Sequence, residues 1–416
     1  DVDDEYIRAR ATDIGEIKRR ILDILAEVNP SPFLCSGLES CQRGKNRIIV
    51  ARELTPGLTI GLDANKVAGF ITEHGGKLSH AAILARALGI PAVSGIEGIQ
   101  NLVSCGTEIL VNGNEGEIII WPTRETRKAF GAEKTISLKQ EVAVDPVPDM
   151  TVMANISLTH DVAFAVLMKA EGIGLYRTEF EFLVRGKLLS EDEQTQLYAG
   201  VVKAMKGKPV YFRLLDIGGD KSADFLKLPK ETNPALGFRG SRLLLARNEL
   251  LVAQARALAR ASRSGPVYVL YPMIVDLSQF ITMKDRFLTA IKGMKTGEIK
   301  HGVMFEVPSA CLAAKDILKE ADFASVGTND LIQYLFAVDR DNEYVAYDYN
   351  PDKEIFWNVM KMIAVAGKMR KKEVSVCGEI AGNSLYLQRL KDLGFKGISV
   401  SARLIPGVRL QLMKEQ

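Results

Sequence analysis

The residue types with chemistry in them begin at His80, which ends the run His74-Gly75-Gly76-Lys77-Leu78-Ser79-His80. Gly75 and Gly76 free the backbone for a close approach, and Ser79 is a good N-cap. Ala81 to Leu88 is a helix-forming run stopped by Gly89 and Pro91. This spacing predicts a short helix with His80 in its first turn. Its N-terminus would offer unpaired N–H groups and the positive end of a dipole to a phosphate carried on the imidazole. His80 is therefore a candidate phosphoryl carrier; a capped imidazole that only packs is the competing explanation.

A second set lies downstream. Arg177 (GLYRTEF), Arg213, Arg239 (NPALGFRGSR) and Arg340 (AVDR) carry guanidinium forks that match carboxylate or phosphate oxygens. Together they suggest one small, multiply charged substrate. Glu306 (MFEVP) and Asp330 (GTNDL) are carboxylates of the kind Mg²⁺ takes while completing its octahedron with water and substrate oxygens. Asn329 and Cys377 (VCGE) fall at comparable places. Singly, each Arg reads as a surface or salt-bridge residue, each carboxylate as a cap, and Cys377 as a small buried hydrophobe. The combination favours chemistry.

The elements that must position these groups follow from pattern. Residues 1–28 place Ile14, Ile17, Ile21 and Leu25 largely at helical spacing, and 29–46, rich in Pro, Ser, Gly and Asn, read as a linker. Short β-type runs at Arg47–Arg52, Val67–Thr72, Ala92–Ser94, Glu108–Val111 and Glu117–Trp121 predict a small α+β domain over 47–122. Asn112-Gly113-Asn114 would close a hairpin. The charged stretch opening 123–148 predicts a connecting helix. Over 149–416 eight further runs alternate with helical segments such as Leu243–Ser262 and Lys353–Lys368. The runs are Thr151–Ile156, Gly172–Arg177, Pro209–Asp216, Pro266–Ile274, Gly302–Pro308, Phe323–Thr328, Glu373–Gly378 and Gly397–Ser401. Eight β/α units in roughly 265 residues suit a TIM (β/α)8 barrel, with a doubly wound open sheet as the alternative. In a barrel, active-site groups sit at the C-terminal ends of strands, where Arg177, Glu306, Asn329-Asp330 and Cys377 fall.

Composition bounds the rest. The 416 residues are too many for one ordinary core. With 54 basic against 51 acidic residues, the net charge of +3 gives no electrostatic case for nucleic-acid binding. The five cysteines are scattered, without a C-x-x-C pair, which favours neither zinc nor a disulfide framework and fits a reducing cytoplasm. No apolar run of eighteen residues suggests a membrane span, and no signal peptide is evident. The start at Asp1 rather than Met predicts a fragment or a processed product.

The motifs GG-x-x-SHAAI-x-AR (with Lys77 and Leu78 in the variable places), GIGLYRTEF, LDIGGDK, NP-x-LGFR, SVGTNDL-x-QY, AVDR and CGE-x-AG occur in an order that resembles the Enzyme I family of bacterial phosphotransferase systems. These are phosphoenolpyruvate–protein phosphotransferases, within the wider phosphoenolpyruvate-utilising enzymes, and the resemblance spans almost the whole chain. CGEIAG at 377–382 and the opening DDEYIRARATDI resemble Enzyme I more than the dikinases or phosphoenolpyruvate synthases. The resemblance implies a swivelling phosphohistidine domain carrying His80, followed by a phosphoenolpyruvate-binding barrel. It implies a substrate clamp of Arg177, Arg213, Arg239 and Arg340, a phosphate contact at Asn329, Mg²⁺ on Glu306 and Asp330, and Cys377 as proton donor to the enolate of pyruvate. Partners implied are phosphoenolpyruvate, a small HPr-like histidine-phosphocarrier protein, and a second copy of the barrel in a homodimer. Residues 1–28 resemble only the tail of the helical region that docks the acceptor. Leu78 stands where the family usually has Thr, which removes a hydroxyl near the phosphorylation site. An ATP-using synthase or dikinase would need a nucleotide-binding domain, for which the chain has neither room nor loop. A silent phosphoenolpyruvate sensor remains as the non-enzymatic alternative.

Overall fold

Val- and Ile-rich runs build the first of two units, which spans residues 1–136. In it β1 (Arg47–Ala51), β2 (Val67–Thr72) and β3 (Ala92–Ser94) form a parallel sheet in that order, while β4 (Ile109–Asn112) and β5 (Glu117–Ile120) pair as an antiparallel hairpin. β2 is central and buried along nearly its whole length, and its Val67 and Phe70 pack with Ala85. The computed structural model describes residues 47–52, 67–74, 85, 90–104, 106–113, 115–130, 143–218, 224–229, 231–340, 342 and 344–414. The segments 1–28 and 29–46, His80 and all of its predicted helix except Ala85 lie outside the described residues.

Of the predicted connecting helix over 123–148, residues 123–130 and 143–148 are described. The chain is helical at Arg124–Ala129, where the Thr123 hydroxyl accepts from the Thr126 N–H at 3.1 Å. Residues 143–147 are irregular, and Pro146 and Pro148 explain why, since neither fits a helix interior. Residues 131–142 lie outside the described residues.

The second unit, residues 137–416, is a closed barrel of eight parallel strands. These are β6 (Thr151–Ile156), β7 (Ile173–Arg177), β8 (Val210–Arg213), β9 (Val267–Tyr271), β10 (Ile299–Phe305), β11 (Phe323–Gly327), β12 (Glu373–Cys377) and β13 (Gly397–Ser401), with β13 returning to β6. Closure excludes the doubly wound open sheet. Alternation along each strand sorts the side chains. On β10, Val303 and Phe305 face the helices and join the large outer core, while Met304 faces inward with Met153, Leu175, Tyr211, Leu270, Phe323 and Cys377. Tyr211, Tyr268 and Phe323 pack with centroids 4.6 to 5.4 Å apart, the two tyrosines stacked and Phe323 edge-on to Tyr211, and plug the interior. Gly302 leaves the room that Phe323 takes, since a Cβ there would lie 2.4 Å from its ring.

Several strand boundaries differ from expectation, and three of them for identifiable reasons. β8 ends at Arg213 rather than Asp216, because the Leu215 N–H is given to Gln254 Oε1 at 2.9 Å. β9 ends at Tyr271, since Pro272 has no N–H and Met273 turns left-handed at φ 55° to donate to Glu306. β10 begins at Ile299, three residues early: Ile299, Lys300 and His301 pair in register with Val267, Tyr268 and Val269, although Lys300 and His301 look unlike strand residues. The single helix expected over Leu243–Ser262 is two, Gly240–Ala246 and Asn248–Ala261, broken at Arg247. Among the described residues, no helix is long and apolar enough to cross a membrane.

Candidate active site

Inward-facing positions at the C-terminal strand ends carry the polar groups. The alternation that points Leu175, Tyr211, Met304 and Ser375 into the barrel points Arg177, Arg213, Glu306 and Cys377 inward two residues later, at the rim. Asp330 comes from the first turn of the helix Thr328–Leu335 that follows β11, and Arg239 caps the start of Gly240–Ala246. Arg177, Arg213, Arg239, Glu306, Asp330 and Cys377 thus converge on one end of the barrel.

The arginines are not equivalent. Arg213 is buried, with Nη2 on the Glu179 carboxylate and Nη1 3.3 Å from Asp216 Oδ2. Arg239 is also buried and grips Asp216 with Nε and Nη2, at 3.2 and 2.8 Å. Its Nη1 donates to the Tyr334 hydroxyl at 2.9 Å, and both terminal nitrogens lie 3.4 Å from Asp330 oxygens. Burial opposes charge on both, and the surrounding carboxylates more than offset it, so both pKa values are raised. Arg340 is looser, with Nη1 4.0 Å from Asp330. Arg177 has no ion pair or hydrogen bond from its guanidinium among the described residues. Burial first, and then the neighbouring Arg213, lower its pKa. Glu179 opposes them in part, and a half-buried cation held beside Arg213 and Arg340 suits an anionic ligand.

The carboxylates are crowded in the opposite sense. Glu306 is buried and accepts from the Met273 N–H at 2.6 Å. Burial, Asp330 and Asp216 together hold its carboxyl well above the usual range. Among the described residues no three His, Cys, Asp or Glu side chains form a metal cage. Mg²⁺ needs no such cage, since it binds through one or two carboxylates plus water and substrate oxygens. Hard oxygen donors that repel one another in a buried site fit that cation.

Cys377 ends β12 with its thiol buried. Sγ accepts from Ser325 Oγ at 3.2 Å and donates to the Val326 carbonyl at 3.5 Å. Burial raises the thiol pKa; the Ser325 hydrogen bond works against it. Asn329 spends Oδ1 on the Glu379 N–H at 3.0 Å, which ties the segment after β12 to the first turn of the helix after β11. The sequence did not single out Glu179, Tyr334, Gln254 or Ser325, and gave Asp216 no role. Two of these stood close to what was noticed: Glu179 lies two residues past Arg177, and Asp216 opens the glycine run 216–221. Gln254 and Tyr334 sit in helices and gave no signal beyond their positions there.

Comparison with known proteins bears on both units. Residues 132–416 match the family described as PEP-utilising enzyme, PEP-binding domain, and 44–116 match the PEP-utilising enzyme mobile domain. A protein of Geobacillus stearothermophilus named phosphoenolpyruvate-protein phosphotransferase is 40% identical over 99% of this chain and 73% of its own length. Relatives of the same name in Priestia megaterium and Bacillus subtilis are 39% and 38% identical, covering 99% of this chain and 73% and 74% of theirs.

Proposed function

We propose a function from one premise: the chain belongs to the phosphoenolpyruvate-utilising enzymes and, among them, to the phosphoenolpyruvate–protein phosphotransferases, which are transferases. Its reaction class is phosphoenolpyruvate-dependent phosphoryl transfer. In the finer reading, the phosphoryl group passes to His80 and then to a histidine of a small HPr-like carrier protein, and pyruvate is released. A homodimer through the barrel belongs to the same proposal. The observation that carries the substrate site is Arg177, a guanidinium without an ion pair or hydrogen bond among the described residues, beside Arg213, which carboxylates hold in place.

Arg177, Arg213, Arg239 and Arg340 hold the carboxylate and phosphate of the substrate, and Asn329 adds a phosphate contact. Arg213 and Arg239 are oriented before substrate arrives, so little reorganisation is needed as charge develops. Glu306 and Asp330 would hold Mg²⁺, which when bound would neutralise phosphate charge. Neutral His80 attacks phosphorus in line, and the bond from phosphorus to the bridging oxygen breaks, leaving that oxygen on carbon as the enolate. Cys377 then gives its proton to C3. A thiol whose pKa is raised by burial is fully protonated at neutral pH and suited to that task.

Incubation with phosphate-labelled phosphoenolpyruvate and Mg²⁺ should place acid-labile label on the chain. His80→Ala should abolish labelling and leave phosphoenolpyruvate binding nearly unchanged. Undiminished label in the variant would reassign the carrier to His74, His160 or His301. Binding without any label in the parent chain would favour a sensor.

A further inference from the structure

We infer that Ser325 is a positioning residue for proton transfer by Cys377, because its hydroxyl donates to Sγ from the inner face of the neighbouring strand. This rests on the reading of Cys377 as proton donor to C3.

β11 and β12 pair in parallel with Ser325 opposite Ser375 and Gly327 opposite Cys377. Alternation puts Ser325, Ser375 and Cys377 on one inward face, and Gly327 leaves the room that Glu306 takes, since a Cβ there would lie 2.9 Å from its Oε2. Ser375 Oγ donates to Ser325 Oγ at 3.3 Å, Ser325 Oγ donates to Cys377 Sγ at 3.2 Å, and Cys377 donates to the Val326 carbonyl at 3.5 Å. Each group has one proton to give, so the chain has a direction, running through sulfur to the Val326 carbonyl. Ser325 is completely buried, and so cannot exchange this partner for water.

A direct proton supply from the serines is excluded by this arrangement, because they run into the closed interior. What they supply is a fixed donor at the atom that changes charge. As the S–H bond breaks and the C3–H bond forms, the sulfur keeps the electron pair and the enolate oxygen becomes the pyruvate carbonyl. The resulting thiolate is buried, and burial disfavours it. Opposing burial are the Ser325 hydroxyl in contact with Sγ and the Arg177 and Arg213 guanidiniums further off, while Glu306 acts with burial. A hydrogen bond to a charged acceptor is stronger than one to a neutral thiol, so the Ser325 contact strengthens as the proton leaves. Donation from Ser375 polarises Ser325 further. Water returns the proton to sulfur when pyruvate departs.

The test uses the full chain, with deuterium wash-in to the pyruvate methyl group and His80 labelling from phosphoenolpyruvate measured side by side. Ser325→Ala should slow wash-in roughly tenfold to a hundredfold, the loss expected for a charge-assisted hydrogen bond, while phosphoenolpyruvate affinity and the unfolding midpoint stay near those of the parent. Ser325→Thr, which keeps the hydroxyl, should recover most of the rate. Ser325→Cys, with a weak donor, should fall between the two and serves if Thr does not fold. Wash-in unaffected in a folded Ser325→Ala, or lost equally in all three variants, would overturn the inference. Cys377→Ala separates this from the premise: if it retains wash-in, Cys377 is not the acid, whereas loss there with full wash-in in Ser325→Ala refutes only the role of Ser325.

Discussion

At the scale of single residues, the four arginines named from the sequence divide by what holds them. Arg239 is locked between Asp216 and Asp330, and its removal would take a cation from two buried carboxylates at once. Arg239→Ala should therefore cost about 3 to 5 kcal/mol of stability in urea unfolding. Arg177 forms no ion pair or hydrogen bond among the described residues, Glu179 acting on it only through its charge, and burial already weighs against its own. Arg177→Ala should leave the unfolding midpoint unchanged or slightly higher, yet weaken phosphoenolpyruvate binding by roughly tenfold or more in calorimetry. Parallel losses of stability in both variants would mean that Arg177 is a structural residue. The sequence identified these side chains by type and by place at strand ends. It could not separate them, because the difference lies in pairings across elements: Glu179, close to Arg177 in the chain, pairs with Arg213, and Arg239 is held by Asp216 and Asp330.

Between residues and fold stand the elements, and here the sequence was most legible where burial alone set the pattern. β2, β3, β6 and β13 fall on the predicted residues because β-branched runs between turn signals leave little choice. Boundaries failed where a single side chain took over a backbone group, as Gln254 does at Leu215 and Glu306 at Met273. Those side chains come from other elements, and no local pattern announces them. The loop after β12 is a further case. Gly378 has φ 121°, and a Cβ there would lie 2.3 Å from Thr328 Oγ1 and 2.9 Å from Asn329 Oδ1. Thr328 in turn bonds the Cys377 carbonyl, so two site loops are packed backbone to side chain at this glycine. Gly378→Ala should push the β11 and β12 loops apart and reduce methyl exchange about a hundredfold, as a displacement near 1 Å does in other active sites. Retained exchange would show that the loop can yield elsewhere.

The barrel as a whole sets a limit on the pH range in which it stays folded, through a residue far from the chemistry. His301 lies on β10 facing the helix Leu277–Ala290, with Nδ1 2.9 Å from the Tyr271 hydroxyl and its ring edge-on to Phe287 at 5.1 Å. Burial, aided by Lys284 and opposed by Asp322, lowers its pKa from 6.5 to about 4. The unfolded chain therefore binds a proton on this imidazole before the folded chain does. Stability from the neutral ring is fully present above the unfolded pKa, is lost as pH falls from about 6.5 towards 4, and falls no further once both states are protonated. The loss by pH 5 is about 2 kcal/mol from this residue alone. Carboxylates lose their ion pairs in the same acid range, so the His301 part must be isolated by difference. His301→Gln keeps a polar group of similar size without the titration. Its urea midpoint should be lower than the parent's at pH 7.5, where the Tyr271 contact is disturbed, and should approach or cross it near pH 5, where only the parent must bury a histidine that would otherwise be charged. Curves that run parallel from pH 7.5 to 5 would mean that the barrel wall opens to water around His301 before it unfolds.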